Sequence, residues 1–285
     1  MKRLSSILAV GAVACAGSAF ATDTIFWGID NGADTIGTFS AGDPGTFNPI
    51  GTTGITDGFV NSLEFDGNGT LYASSGVTLY TIDRGTGAAT AVGPHGDLGG
   101  ESISDFTWDG STMWAVGTIC GVQSSLYNVD LTTGAATFVC TTDLVGCDVG
   151  LALGGDGTLF GHDIVNDVIY SVDPGTCVTS TVVNLPFDTN FGQGLTASPD
   201  VNFHVAFNST AFQGELHTFD AAGNYDFLGV LGPLQIAGAD VEVAEQACLG
   251  LDISNLVGGE TAFFDVSGGE PGQRTAVLWG TGGEP

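Results

Sequence analysis

From about Thr24 the chain alternates short apolar runs with glycine- and aspartate-rich turns, and the alternation itself recurs. The recurring unit is an apolar strand, a tight turn, a strand carrying an aromatic, a strand ending in Asp, a glycine turn and a last strand. Copies run over residues 61–93, 104–140, 149–183 and 192–230. Their first-strand anchors, Leu63, Phe106, Leu151 and Leu195, are spaced by 43, 45 and 44 residues. Runs of this kind bounded by turn residues predict strands. Four strands per unit at this period are the signature of one β-propeller blade.

The two ends supply a fifth blade. Residues 24–50 read as a blade lacking its first strand, and residues 237–244 as a first strand lacking the rest; Val241 lies 46 residues after Leu195, in step with the series. The expectation is an all-β, five-bladed β-propeller over residues 22–246, closed by pairing the C-terminal strand with the N-terminal one. Such closure removes the open edges of a linear array. A solenoid or sandwich is the alternative. Asp66-Gly67-Asn68-Gly69 and Gly155-Asp156-Gly157 provide residues that accept positive φ, as hairpins between twisted strands require. The Asp that recurs at 83, 130, 173 and 220 precedes a turn and suits a hydrogen bond to its own backbone two residues on. From Leu249 the pattern changes to alternating strands between glycine turns, so residues 247–285 form a short C-terminal β appendage, too small to bury a core alone.

Charge narrows the function. With 32 acidic against 4 basic side chains, a net charge of -28 and a pI near 4.1, the protein cannot bind phosphates by counterion release. Nucleic acid and acidic membrane surfaces are therefore excluded as partners. The 43% apolar content excludes a disordered acidic tail. Lys2 and Arg3 precede an apolar run from Ile7 to Phe20, and Ala19-Phe20-Ala21 is a small-x-small cleavage site, so residues 1–21 read as a secretory signal. Cys15 keeps a lipoprotein site open as the alternative. Cleavage after Ala21 leaves Arg84 and Arg274 as the only cations. That imbalance suits a saline habitat, where charges are screened within about 10 Å, or binding of calcium.

The segments LYTIDRGTGAAT and LYNVDLTTGAAT, with GHDIVNDVIYSVD and NFGQGL, resemble the propeller domains of secreted bacterial proteins of uncharacterised function, and more distantly the NHL and YVTN propeller groups. The tail LDISNLVGGETAFFDVSGGEPGQRTAVL is similar to C-terminal β modules of exported Gram-negative and planctomycete proteins. The resemblance implies a secreted or envelope location and no catalytic residue.

Disulfides persist in such a compartment. Cys120 and Cys147 both fall in connections expected on one face of the ring, which favours their pairing, with Cys140 as the competing partner; Cys177 and Cys248 are a weaker pair on the opposite face. No CxxC pair points to zinc.

No GxSxG, HExxH, P-loop or dinucleotide GxGxxG occurs. The repeat register places Ser62, Asp105, Gly150, Gly194 and Asp240 one residue before the anchors, near the axis, with Asp148 and Gln193 beside them. Convergence of Asp105, Asp148 and Asp240 would suit calcium; the ordinary alternative is that they are solvated or turn-capping acids. His162, followed by Asp163 and then by Asp167, has the makings of an oriented base or a ligand; it is also an ordinary hydrogen-bonding residue. His162, Asp163 and Gln193 are the candidate binding residues. Tyr72, Trp114 and Phe160 recur at one blade position and read as inter-blade core. The sequence points to an exported, non-catalytic binding or surface-interaction module, calcium-stabilised, whose partner is an extracellular ligand, glycan or protein. A glycan-acting hydrolase or lyase using axial carboxylates is the competing reading.

Overall fold

The computed structural model describes residues 24–242 and, as backbone, two strands spanning 250–254 and 263–267. Twenty strands precede residue 242: β1 (Ile25–Asp30), β2 (Thr35–Ser40), β3 (Asp43–Thr52), β4 (Ser62–Phe65), β5 (Leu71–Ser74), β6 (Thr78–Ile82), β7 (Ala89–Pro94), β8 (Ser102–Trp108), β9 (Met113–Thr118) and β10 (Val122–Val129) come first. They are followed by β11 (Ala136–Gly146), β12 (Asp148–Leu153), β13 (Leu159–Asp163), β14 (Val168–Val172), β15 (Thr179–Asn184), β16 (Gly194–Ser198), β17 (Val201–Asn208), β18 (Gln213–Phe219), β19 (Tyr225–Gly232) and β20 (Ile236–Val241). They form five antiparallel four-stranded sheets, so the chain is a five-bladed β-propeller. Blade I has the order β20-β1-β2-β3; blades II to V are consecutive meanders of four strands each. The inner strands adjoin around the ring in the order β20, β4, β8, β12, β16 and back to β20.

Closure is made by the last strand. β20 pairs with β1 in the register Phe26 with Val241 and Trp27 with Asp240. A bulge interrupts this pairing between Gly28 and Ile29. Gly238, at φ +51°, passes so close to the Ser62 backbone of blade II that a Cβ there would collide with it. Positive φ and close approach together require glycine.

The core lies between blades rather than within one. Phe26, Phe39, Phe203, Val205, Leu216 and Val241 pack blade I against blade V, and the anchors Leu63, Phe106, Leu151 and Leu195 are each at most 1% exposed. Tyr72 and Phe160 are buried with them and Trp114 packs against the blade III–IV core, the place the repeat pattern gives these aromatics. The recurring aspartates cap turns. Asp66, Asp83, Asp130, Asp173 and Asp220 each accept a hydrogen bond from the backbone N–H two residues on.

Two disulfides tie the ring: Cys120–Cys147 and Cys140–Cys177. The second corrects the expected partner of Cys177. Outer strands of neighbouring blades adjoin, so Cys140 on β11 of blade III meets the β14–β15 turn of blade IV, and Asp143 on the same strand accepts from Thr179 N and Oγ1 at 2.8 Å. Cys248, Cys15 and the signal segment lie outside the described residues. Of the C-terminal appendage, β21 (Gly250–Ser254) and β22 (Phe263–Ser267) form an antiparallel pair of their own.

Candidate functional site

Each inner strand has one edge that no fifth strand pairs, and its N–H groups require acceptors. Carboxylates and hydroxyls from adjacent inner strands provide them. Asp105 of β8 accepts from Leu151 N of β12 at 2.9 Å and from Phe106 N. Asp240 of β20 accepts from Phe65 N of β4 at 2.8 Å, from Val241 N, and from the Thr196 hydroxyl of β16 at 2.6 Å. Glu64 of β4 accepts from Trp108 N of β8, and Thr107 of β8 accepts from Leu153 N of β12. The axial acids therefore join blade to blade through backbone N–H groups.

Burial sets their protonation. Desolvation pushes the Asp105 carboxyl well above the usual range despite its N–H donors. Desolvation and then the charge of Asp240 do the same to Glu64, and desolvation pushes Asp240 up to about 6 against the pull of Thr196 and Phe65. Asp148 is 1% exposed, and its Oδ1 has no hydrogen-bond partner among the described residues. Burial first, and the neighbouring Asp163 charge after it, push its carboxyl up to about 7, while Ser124 pulls the other way.

His162 and Asp163 are fully buried at the end of β13. Asp163 Oδ1 accepts from the backbone N–H groups of Cys147, Val165 and Asn166, and its Oδ2 from the Asn166 amide, so it braces the β13–β14 turn. His162 stands edge-on to His204 with ring centroids 4.4 Å apart, and burial pushes it down to about 4, so it is neutral at pH 7. His204 takes the centre of a buried chain. Its Nε2 is 3.1 Å from Gln193 Oε1 and its Nδ1 2.9 Å from the Tyr225 hydroxyl. Since the Gln193 amide nitrogen donates to the carbonyls of Asn190 and Phe207, its oxygen faces His204. That makes His204 the Nε2–H tautomer, accepting from Tyr225 at Nδ1. His217 continues the cluster, stacked on Tyr225 and paired with Glu215 at 2.9 Å.

The open space is elsewhere. A cavity of about 490 Å³ lies where the inner strands begin, with lining residues from all five blades. Its wall holds amides and hydroxyls, including Asn31, Asn61, Ser102, Gln193 and Gln235, and two phenylalanines, Phe59 and Phe191. Among the described residues, no Asp, Glu, Lys, Arg or His lines it. Phe59 is 75% exposed and Phe191 59%.

No family model matches the chain, and no curated protein matches it in sequence. Among solved structures, a nidogen/laminin complex aligns over 77% of this chain and 98% of its own at 10% identity, with a TM-score of 0.50. Virginiamycin B lyase from Staphylococcus aureus with quinupristin covers 86% of this chain and 74% of its own at 14% identity (TM-score 0.45). A gluconolactonase from Xanthomonas campestris covers 76% and 79% at 13% identity (TM-score 0.47). The likeness is one of fold; identities this low carry no site from one protein to another.

Of the residues expected at the site, only Gln193 lines the cavity. His162 lies between blades IV and V, against His204, whereas Asp163 faces the blade III side, bonded to Cys147 N and packed on Gly146. Asp105, Asp148 and Asp240 do not converge as a ligand set: among the described residues no group of three or more His, Cys, Asp or Glu is arranged to hold a metal ion. The physical reason is that Asp105 and Asp240 already satisfy backbone donors. The register signal that finds the cavity sits elsewhere: Asn61, Ser104, Val149 and Gln193 stand two residues before their anchors, and Phe59 and Phe191 both stand four before theirs. Alternation along a strand separates those positions from the one-before set.

Proposed function

We propose that the protein is an exported, non-catalytic binding propeller whose ligand occupies the axial cavity. The observation that carries this reading is the cavity's lining: five blades contribute to it, and among the described residues none contributes an ionisable group. General acid–base and nucleophilic catalysis need titratable groups in contact with the reacting atoms, whereas recognition needs shape, apolar surface and a few fixed polar groups. The volume falls in the range of small-ligand sites, roughly 300 to 1,000 Å³.

Display of two phenylalanines on braced loops supports the same reading. Thr53 bonds Asp34 and Tyr80 bonds Asp57, bracing the loop that carries Phe59. Asp167 accepts from Thr189 N and Oγ1, bracing the loop that carries Phe191. A large apolar side chain held outward on a fixed loop is pre-organised for a partner. The two disulfides support export. Calcium, in this reading, is a counter-ion of the exposed acids. The test is a neutral small-molecule fragment library scored by amide NMR shifts. Perturbations are expected to centre on Asn31, Asn61, Ser102, Gln193 and Gln235; shifts confined to the Asp-capped turns would overturn the axial site.

A further inference from the structure

Resting on the axial cavity as the binding site, we infer that its ligand is an uncharged saccharide, stacked on Phe59 and Phe191 and hydrogen-bonded by Asn31, Ser102 and Gln235. Three features of the cavity select this chemistry. The first is the charge balance. Among the described residues no cation lines the wall to attract an anion, and the surrounding net charge of -28 repels one. A cationic ligand, in turn, meets no carboxylate among the described lining residues. An uncharged molecule remains.

The second feature is which polar groups are unoccupied. Gln193 is saturated by His204, Asn190 and Phe207. Ser104 donates to Val116 O, and Thr118 exchanges with Ser124 and Asp148 N. Gln193 therefore works as a fixed wall, its amide held by buried His204. By contrast, the side chains of Asn31, Ser102 and Gln235 make no hydrogen bond among the described residues. Two amides and a hydroxyl offer donors and acceptors together, the pairing that ring hydroxyls need. Gly192, at φ +91°, lets the Phe191 loop pass Gln235: a Cβ there would lie 2.8 Å from the Gln235 Cβ.

The third feature separates a saccharide from an extended peptide, the other uncharged polymer with apolar and polar faces. Peptides bind propeller-like sheets through unpaired strand edges. Here N–H groups on the free edges of the inner strands are capped by Asp105, Asp240, Glu64 and Thr107, which removes donors for strand addition. Exposed aromatic faces suit the C–H faces of sugar rings, and the two phenylalanines line the same cavity from equivalent positions of blades II and V.

The experiment is calorimetric titration of the full chain with neutral hexasaccharides of the gluco, manno, xylo and N-acetylglucosamine series, with Nile red as an uncharged apolar probe. At least one saccharide is expected to bind, with affinity insensitive to added salt. Phe59→Ala, Phe191→Ala and Gln235→Ala are each expected to weaken it by about tenfold or more while leaving the melting curve unchanged, since none is a core residue. If Nile red binds and is lost in Phe59→Ala while no saccharide binds, the saccharide class is overturned and the axial cavity stands. A saccharide that binds equally to all three variants overturns the axial cavity itself, and binding of neither probe overturns both.

Discussion

At Asp148 the folded protein holds a carboxyl at about 7 that in an unfolded chain titrates near 3.9. A native state that holds its proton more tightly is favoured at low pH. This contribution is complete below about pH 4 and is lost as pH rises through about 7. Asp148→Asn is therefore expected to flatten the pH dependence of stability between about pH 4 and 7. It is also expected to raise stability at pH 8, by at most about 4 kcal/mol at about 1.4 kcal/mol per pH unit; urea melts at pH 5 and 8 check both. The buried histidines act in the opposite sense. His162, at about 4, and His204, held well below its usual value by burial and by the adjacent histidines, contribute stability that is complete above about pH 6.5 and lost as pH falls toward 4. His162→Gln is expected to reduce the loss of stability on acidification across that window, read by the same melts. Nothing local to Asp148 or His162 in the sequence announces these shifts, since desolvation is a property of what packs around them.

Between elements, the question is how five inner strands coexist with unpaired edges. Asp105→Ala removes the acceptor of Leu151 N and Phe106 N and is expected to cost about 1–3 kcal/mol for each donor left buried and unpaired. Asp105→Asn retains one carbonyl oxygen and is expected to cost less; denaturant midpoints of the two variants test the order. Across blades III and IV, the Cys140–Cys177 link closes a span of 37 residues, and the Cys140→Ser, Cys177→Ser double variant is expected to lose about 3–4 kcal/mol on the chain-entropy account. The strands themselves were legible in the sequence, because a repeated alternation with Asp and Gly at fixed offsets specifies strand and turn by local rules alone. Their side-chain partners across the ring were not: a carboxylate one residue before an anchor reads the same whether it meets a ligand, water or a neighbouring blade's N–H.

For the molecule as a whole, the β20–β1 pairing fixes the ring. A chain ending at Leu234 would lack β20, leaving Phe26 and Trp27 without their partners and exposing the blade I–V core. Loss of a single cooperative thermal transition is expected, read by circular dichroism, and an unchanged melt would show that closure is dispensable. The charge of -28 also acts at this scale. Added salt is expected to raise the melting temperature by screening self-repulsion. The amino-acid sequence by itself determined the repeat, the number of blades and the closing strand, and it brought Gln193 into view, because periodicity and turn chemistry are properties of residues near in the chain. Tertiary structure alone decided that Asp105 and Asp240 hold blades together, that Cys177 meets Cys140, and that Phe59 and Phe191 share one cavity. Each of those depends on which face a strand residue presents and on what a distant blade brings to it. A shift of one residue along a strand reverses that face.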